Sequence, residues 1–343
     1  MRERVLVTGG SGFIARWTIA ELLQRGYGVR ATVRDSTKEE SVRSAVTRAT
    51  DLADQIQFAH TDLTRAEGWA SAVDGCDYVL HVASPLTPDN PREPDALLRP
   101  AREGTLNVLR AATAAGVRRV VMTSAANAAS PSSYTQDGIT DETLWTDPDQ
   151  PGLPPYRRSK TIAEQAAWDF MKTYDGATEL TTVLPGAVFG PVLGADNSGS
   201  VQVIARLLSG SMPGTPRIGL EVVDVRDLVD LHLRAMTSPR AAGERFLGTG
   251  EFMWMSDIAA VLKEHLGQNA AKVPTRGLPN IVVRALALLN PDLRAIAPGL
   301  GRRNRHSTAK AQQVLGWSPR PGAETVVDCA RDLIAHGTGE HAA

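Results

Sequence analysis

Short runs rich in β-branched residues alternate with longer amphipathic stretches through the first half of the chain. Val5–Thr8, Val29–Val33, Ile56–Ala59, Tyr78–Val82, Arg119–Thr123 and Leu180–Leu184 have strand length and little polar alternation, the pattern of strands covered on both faces. Helical periodicity fills the gaps, at Phe13–Gln24, Lys38–Ala49, Ala66–Val73, Ala96–Ala115 and Tyr156–Tyr174. Steady strand–helix alternation predicts an α/β fold built on a doubly wound parallel sheet.

From about residue 190 the texture changes to shorter helices separated by Gly/Pro loops, such as Ser209–Pro216, which predicts a smaller C-terminal α/β substrate lobe. The expected division is 1–188 for the sheet domain and 189–343 for the lobe. Residues of about 220–240 (EVVDVRDLVDLHLRAM) read as strand, turn and helix and are expected to return to the larger unit. The polar tail 336–343 is expected to fray. The 343 residues suffice for two units with a sizeable core, and 42% hydrophobic with 22% charged residues is an ordinary globular composition.

Charge narrows the partners. With 37 basic and 38 acidic residues the net charge is -1, so no overall field favours nucleic acid or an anionic membrane, and neither is expected as a partner. Cys76 and Cys329 are too few for a disulfide framework or a cysteine-rich metal site. The seven histidines lack ligand spacing, so no metal is expected. Only three apolar residues follow Met1–Arg4 before Thr8, and the longest apolar stretch, Ile281–Leu289, is interrupted by Arg284. A cytoplasmic protein without signal peptide or bilayer span is the expectation.

The first strand runs into Thr8-Gly9-Gly10-Ser11-Gly12-Phe13-Ile14-Ala15, a G-x-x-G-x-x-A loop opening an apolar helix. A pyrophosphate needs helix N-terminal N–H groups and no side chain in the way, which Gly9 and Gly12 permit, while Ala15 lets helix and strand approach. Together with the next strand this predicts a Rossmann-type dinucleotide site using Gly9, Ser11, Gly12, Phe13 and Ile14. The second strand ends Val33-Arg34-Asp35. An acid in the Val33 position would hold a ribose 2′-hydroxyl, whereas Arg34 suits a 2′-phosphate, so NADP(H) is favoured; the competing reading makes Asp35 the ribose acid. Asp62 and Leu63, after the third strand, are placed to reach the adenine, with a plain turn aspartate as the alternative.

Pro154-Pro155 precede Tyr156, and Lys160 stands one helical turn further on. A lysine charge and a helix N-terminus both favour phenolate, which makes a phenol usable as a proton donor. With VTGGSGFIA at Val7–Ala15, VRATVRD at Val29–Asp35, HVASP at His81–Pro85, YRRSKTIAEQAAWDF at Tyr156–Phe170 and LPGAVFGP at Leu184–Pro191, nearly the whole chain resembles the extended short-chain dehydrogenases/reductases. Within them it is similar to the dihydroflavonol-reductase and cinnamoyl-CoA-reductase-like carbonyl reductases. The resemblance implies that Tyr156 protonates the carbonyl oxygen as hydride arrives and that Lys160 holds the nicotinamide ribose and lowers the tyrosine pKa. It implies that Pro185, Gly186 and Val188 line the nicotinamide pocket and that Val82, Ala83 and Ser84 run beside the cofactor. It also places Thr123 and Lys160 at the cofactor and gives Asn107 either a family role or an ordinary helix-to-backbone contact. Relatives are monomers or homodimers.

One position departs from that pattern. Relatives read Thr-Ser-Ser where this chain has Thr123-Ser124-Ala125, so the serine that steadies the oxyanion is replaced by Ala125. Either Ser124 serves through a local shift, or Asn127 or Thr123 supplies the donor, or the role is absent and turnover is slow. Arg302–His306 reads as a solvated loop, with a phosphate-holding cluster as the alternative; His81 reads as a satisfied core residue, and Met253-Trp254-Met255 as lobe packing. The expected activity is NADP(H)-dependent reduction of an aldehyde or ketone of hydrophobic character. A nucleotide-sugar epimerase or dehydratase and a weakly catalytic NADP-binding sensor are the alternatives.

Overall fold

Apolar strands of this kind need cover on both faces, and the chain supplies it from two directions. The computed structural model describes residues 2–85, 95–131, 137–194 and 199–336. In chain order the strands are Arg4–Val7 (β1), Gly28–Val33 (β2), Gln57–His60 (β3), Tyr78–His81 (β4), Arg119–Thr123 (β5), Gly138–Thr140 (β6) and Glu179–Pro185 (β7). They continue with Ala187–Phe189 (β8), Thr215–Pro216 (β9), Gly219–Asp224 (β10), Arg245–Gly248 (β11), Glu251–Trp254 (β12), Gly277–Leu278 (β13) and Asn304–His306 (β14). The first helices are Phe13–Gln24 (α1), Glu39–Thr47 (α2), Trp69–Val73 (α3), Asp95–Ala114 (α4) and Pro155–Lys172 (α5). Beyond them lie Val201–Ser209 (α6), Val225–Thr237 (α7), Met255–Leu266 (α8), Asn280–Leu286 (α9), Pro291–Ile296 (α10), Ala309–Leu315 (α11) and Gly322–Ala335 (α12).

The central sheet has seven strands in the order β3-β2-β1-β4-β5-β7-β11, and every neighbouring pair is parallel. This is the doubly wound α/β architecture expected from the pattern, with one strand more than the six read from it. The chain leaves β1 in one direction and returns to β4 on the other side, so the crevice at the carboxyl ends of β1 and β4 is the place where a ligand fits. On one face Ile19 and Leu22 of α1 pack with Leu228 and Leu231 of α7; on the other, Leu109 of α4 and Ala163 of α5 join Trp69. Both α7 and β11 thus belong to the large core although they follow residue 188.

A second core, with Ile204 and Leu207 of α6, Ile258 and Leu262 of α8, and Val326 and Leu333 of α12, underlies the small sheet β12-β10-β8. Met253 and Met255 are buried there, consistent with packing. The Arg302–His306 stretch corrects the solvated-loop reading: Asn304–His306 is β14, paired in parallel with β6, because β6 offers an unpaired edge. Of the tail expected to fray, 337–343 lie outside the described residues. Among the described residues no helix is long and apolar enough to cross a membrane, and no three His, Cys, Asp or Glu side chains gather as a metal site.

Candidate active site

The glycine loop leaves β1 tied by hydrogen bonds to the neighbouring strand β2. Gly9 N–H donates to Thr32 Oγ1 at 3.0 Å, Gly10 N–H to Thr32 O at 2.8 Å, and Gly12 N–H to Gly9 O at 2.9 Å. Gly9 has φ +69, and a Cβ there would lie 2.9 Å from Ala83 Cβ, so any other residue would be strained and would collide with the strand-β4 exit. Those bonds occupy the glycine N–H groups, and the donors at the mouth of α1 that find no partner among the described residues include the first-turn groups of Phe13 and Ile14. A diphosphate would find donors and a positive helix end with no side chain in front. Thr32, which fixes two of the glycines, carries no signal in the sequence beyond being a threonine in a strand.

At the end of β2, Val33 is buried and in register with His60, while Arg34 is exposed and makes no ion pair or hydrogen bond among the described residues. Asp35 is occupied: its carboxylate accepts from Thr37 N–H at 3.1 Å and from the Thr37 hydroxyl, capping the turn Ser36–Lys38, and this holds it below the usual carboxylate range. Asp62 accepts from Thr64 Oγ1 at 2.7 Å and Thr64 N–H at 2.8 Å, which lowers its pKa and makes it a turn aspartate with one oxygen left over. Asn107 Nδ2 donates to Leu63 O at 3.3 Å and Arg65 O at 3.2 Å, so it pins the Asp62–Leu63 loop against α4. Gly104 makes room for that loop, since a Cβ there would sit 2.8 Å from Leu63 Cβ.

Pro155 opens α5, where its missing N–H is no loss, and brings Tyr156 to the helix start. Lys160, one turn on, is buried, and its Nζ donates to Thr123 O at 3.3 Å at the end of β5. One narrow cleft is lined by Lys160, Thr123, Ala83, Ser84, Leu63 and His81. Five of the residues expected at the cofactor therefore share a single wall. Burial pushes Lys160 down to about 8, offset in part by the Glu164 carboxylate. Tyr156 is 39% exposed, and the protein around it still strips enough water to push the phenol up to about 12. Burial is the cause that acts on the phenol, while the Lys160 ammonium is engaged by Thr123 O.

His81 is buried beside this cleft, 2.9 Å from Thr8 Oγ1 through Nδ1, and burial first, then the Lys160 charge, bring it down to about 3. It is neutral and structural. The Thr123 hydroxyl lies 2.8 Å from His232 Nε2, whose Nδ1 lies 2.8 Å from Leu228 O. Burial brings His232 to about 4, so the neutral ring donates from Nδ1 and accepts from Thr123. Val82 follows β4 directly and is half-buried, and Pro185 ends β7. Gly186 is obligatory, because a Cβ would lie 2.5 Å from Glu221 O, and Val188 stands in β8 opposite Val223 of β10.

Ser124 is not brought to Tyr156. Its hydroxyl donates to Glu164 Oε2 at 2.6 Å in the interior, because strand alternation turns it away from the face that position 125 occupies. Thr123 is engaged by His232, and Ala125 has no hydroxyl. We expect Ala125→Ser to raise kcat on a carbonyl substrate by on the order of 10-fold, part of what one oxyanion donor supplies. A kcat unchanged or lowered in steady-state assays would show that another group already fills the role.

Comparison with known proteins gives the family and the fold. The NAD dependent epimerase/dehydratase family matches residues 5–247. Cinnamoyl-CoA reductase 1 of Petunia hybrida is 34% identical over 324 residues, covering 92% of this chain and 94% of that one. Anthocyanidin reductase ((2S)-flavan-3-ol-forming) of Vitis vinifera is 31% identical over 289 residues, covering 80% and 83%. Among solved structures, yeast methylglyoxal/isovaleraldehyde reductase complexed with NADPH superimposes with a TM-score of 0.80 at 24% identity over 98% of this chain and 99% of its own, a likeness of fold. The chain belongs to the NAD dependent epimerase/dehydratase family, the extended short-chain dehydrogenases/reductases.

Proposed function

We propose that this protein reduces the carbonyl of a small hydrophobic aldehyde or ketone to an alcohol at the expense of NADPH. The observation that carries the reading is the arrangement of Tyr156 and buried Lys160 on α5, with Lys160 held against Thr123 O in the cleft beside the glycine loop. The residues present fit a nicotinamide dinucleotide: the Gly9 cradle admits no Cβ, the α1 mouth offers free donors, and Arg34 is unpaired next to the β2 end. When bound, that cofactor supplies the hydride.

The chain's own part is positioning and proton transfer. Tyr156 Oη, neutral because its pKa lies near 12, donates its proton to the carbonyl oxygen. Lys160, charged below about 8, would hold ribose hydroxyls and stabilise the phenolate left behind. Without a serine at 125, the developing oxyanion relies on Tyr156 and on whatever Asn127 supplies, and reliance on Tyr156 alone predicts a slow enzyme for its class.

The relatives that are cinnamoyl-CoA and anthocyanidin reductases favour an aromatic substrate. The test is oxidation of NADPH and of NADH with aldehydes, ketones, aryl acyl-thioesters and UDP-sugars. Turnover of no carbonyl compound alongside tight NADPH binding would sink the reductase reading in favour of a sensor, and turnover of UDP-sugars alone would favour an epimerase. Arg34→Ala should raise the KM for NADPH by roughly 10-fold or more, the value of a charge-assisted bond to a 2′-phosphate, and leave the KM for NADH unchanged. Equal effects on both cofactors would assign the 2′-phosphate elsewhere.

A further inference from the structure

The longest apolar run of the chain is not consumed by the fold. In α9 and the turn after it, Val283 and Ala287 are buried against the lobe, while Ile281, Leu288 and Leu289 are 77%, 76% and 88% exposed and Val282 and Leu286 are also open. A helix anchored by Val283 that turns most of its other apolar side chains outward leaves a face that water does not favour.

Charge is concentrated in the same stretch of chain. Between 272 and 305 the chain carries Lys272 and six arginines against Asp292 alone, a local excess of +6 in a protein of net charge -1. Among the described residues Arg276, Arg284 and Arg303 are exposed and paired with no carboxylate. Arg294 donates to Leu288 O at 2.8 Å and Ala287 O at 3.2 Å, which brings its charge to the end of α9. A Cβ at Gly301 would lie 3.1 Å from Asn280 Nδ2, so the Arg302-Arg303 pair starts beside the beginning of α9.

We propose that α9 and the turn after it seat the C-terminal lobe on an anionic lipid surface, with Ile281, Leu288 and Leu289 in the interface and the arginines against headgroups. Side chains that protrude this far suit a fluid apolar phase, which closes around them without a matching pocket, and the surrounding cations match an anionic headgroup layer. The near-zero total charge, on which the expectation of no membrane partner rested, averages this segment against an acidic remainder of -7.

The test is co-sedimentation of the full chain with phosphatidylcholine vesicles, alone or with about 30% phosphatidylglycerol, in which only the anionic vesicles are expected to bind and about tenfold more salt weakens binding by 10-fold or more. Leu288→Ser with Leu289→Ser should lower vesicle binding by roughly 10-fold while NADPH oxidation is unchanged. No binding to anionic vesicles, or equal salt-insensitive binding to neutral ones, overturns the proposal. So does a double variant that binds vesicles normally but elutes as a smaller species, which assigns the face to contact between copies, or one that binds normally and loses turnover, which makes α9 a flap over the cleft.

Discussion

Tyr156→Phe should lower kcat for carbonyl reduction by roughly 100-fold to 10,000-fold, the range of general acid catalysis, with the Kd for NADPH unchanged. The phenyl ring keeps the packing at the start of α5 and removes only the hydroxyl that donates the proton. The pH profile of the native protein should identify the two partners separately. Because burial holds the phenol up near 12, Tyr156 stays protonated throughout the accessible range and contributes no alkaline limb of its own. Lys160, held down to about 8, loses its charge first, so kcat/KM for reduction should be level through neutrality and fall as pH rises past about 8. Alcohol oxidation needs the phenolate and should instead gain as pH rises. A Tyr156→Phe variant retaining more than about a tenth of native kcat would mean that water or another group delivers the proton.

The parts of this site that were legible in the sequence are those fixed by local backbone demands. Gly9 announces itself because a left-handed turn favours glycine, Gly12 because a phosphate-facing helix mouth needs no side chain in front, and Tyr156 with Lys160 because an i, i+4 pair is a property of one helix. Apolar strands buried on both faces, such as Val120–Met122, were equally plain. Strand β11 was not, since Arg-Phe-Leu-Gly opens with a charge that is normally solvated, and only its distant partners make Arg245 tolerable inside. Strand β14 was hidden for the same reason, its Arg305 reading as surface when its role is to pair with β6, well over a hundred residues away. The turning of Ser124 toward Glu164 follows from strand parity, yet its partner lies in another element and has no local signature.

Glu164 is where those long-range partners meet, and its removal should produce the largest loss of stability. Its carboxylate accepts from Ser124 Oγ at 2.6 Å, Thr182 Oγ1 at 2.7 Å and Arg245 Nε at 2.8 Å, joining β5, β7, β11 and α5 with no exposure to water. Arg245 in turn donates to Glu142 O at 2.6 Å and Leu144 O at 3.1 Å and lies over the Trp145 ring at 3.6 Å. Glu164→Ala strands that guanidinium in the interior and leaves two hydroxyls without their acceptor, so unfolding free energy should fall by about 3–5 kcal/mol. Replacing both partners, Glu164→Leu with Arg245→Met, removes the uncompensated charge and should recover much of that loss. Denaturant unfolding of these variants decides the matter: a single substitution costing under about 1 kcal/mol would mean that water reaches the pair. Glu164→Gln, which keeps the shape, adds a functional reading. The carboxylate raises Lys160 against its burial, so losing the charge should move the alkaline fall in kcat/KM to lower pH. An unmoved limb in a folded Glu164→Gln variant would separate the structural pair from the lysine that carries the chemistry.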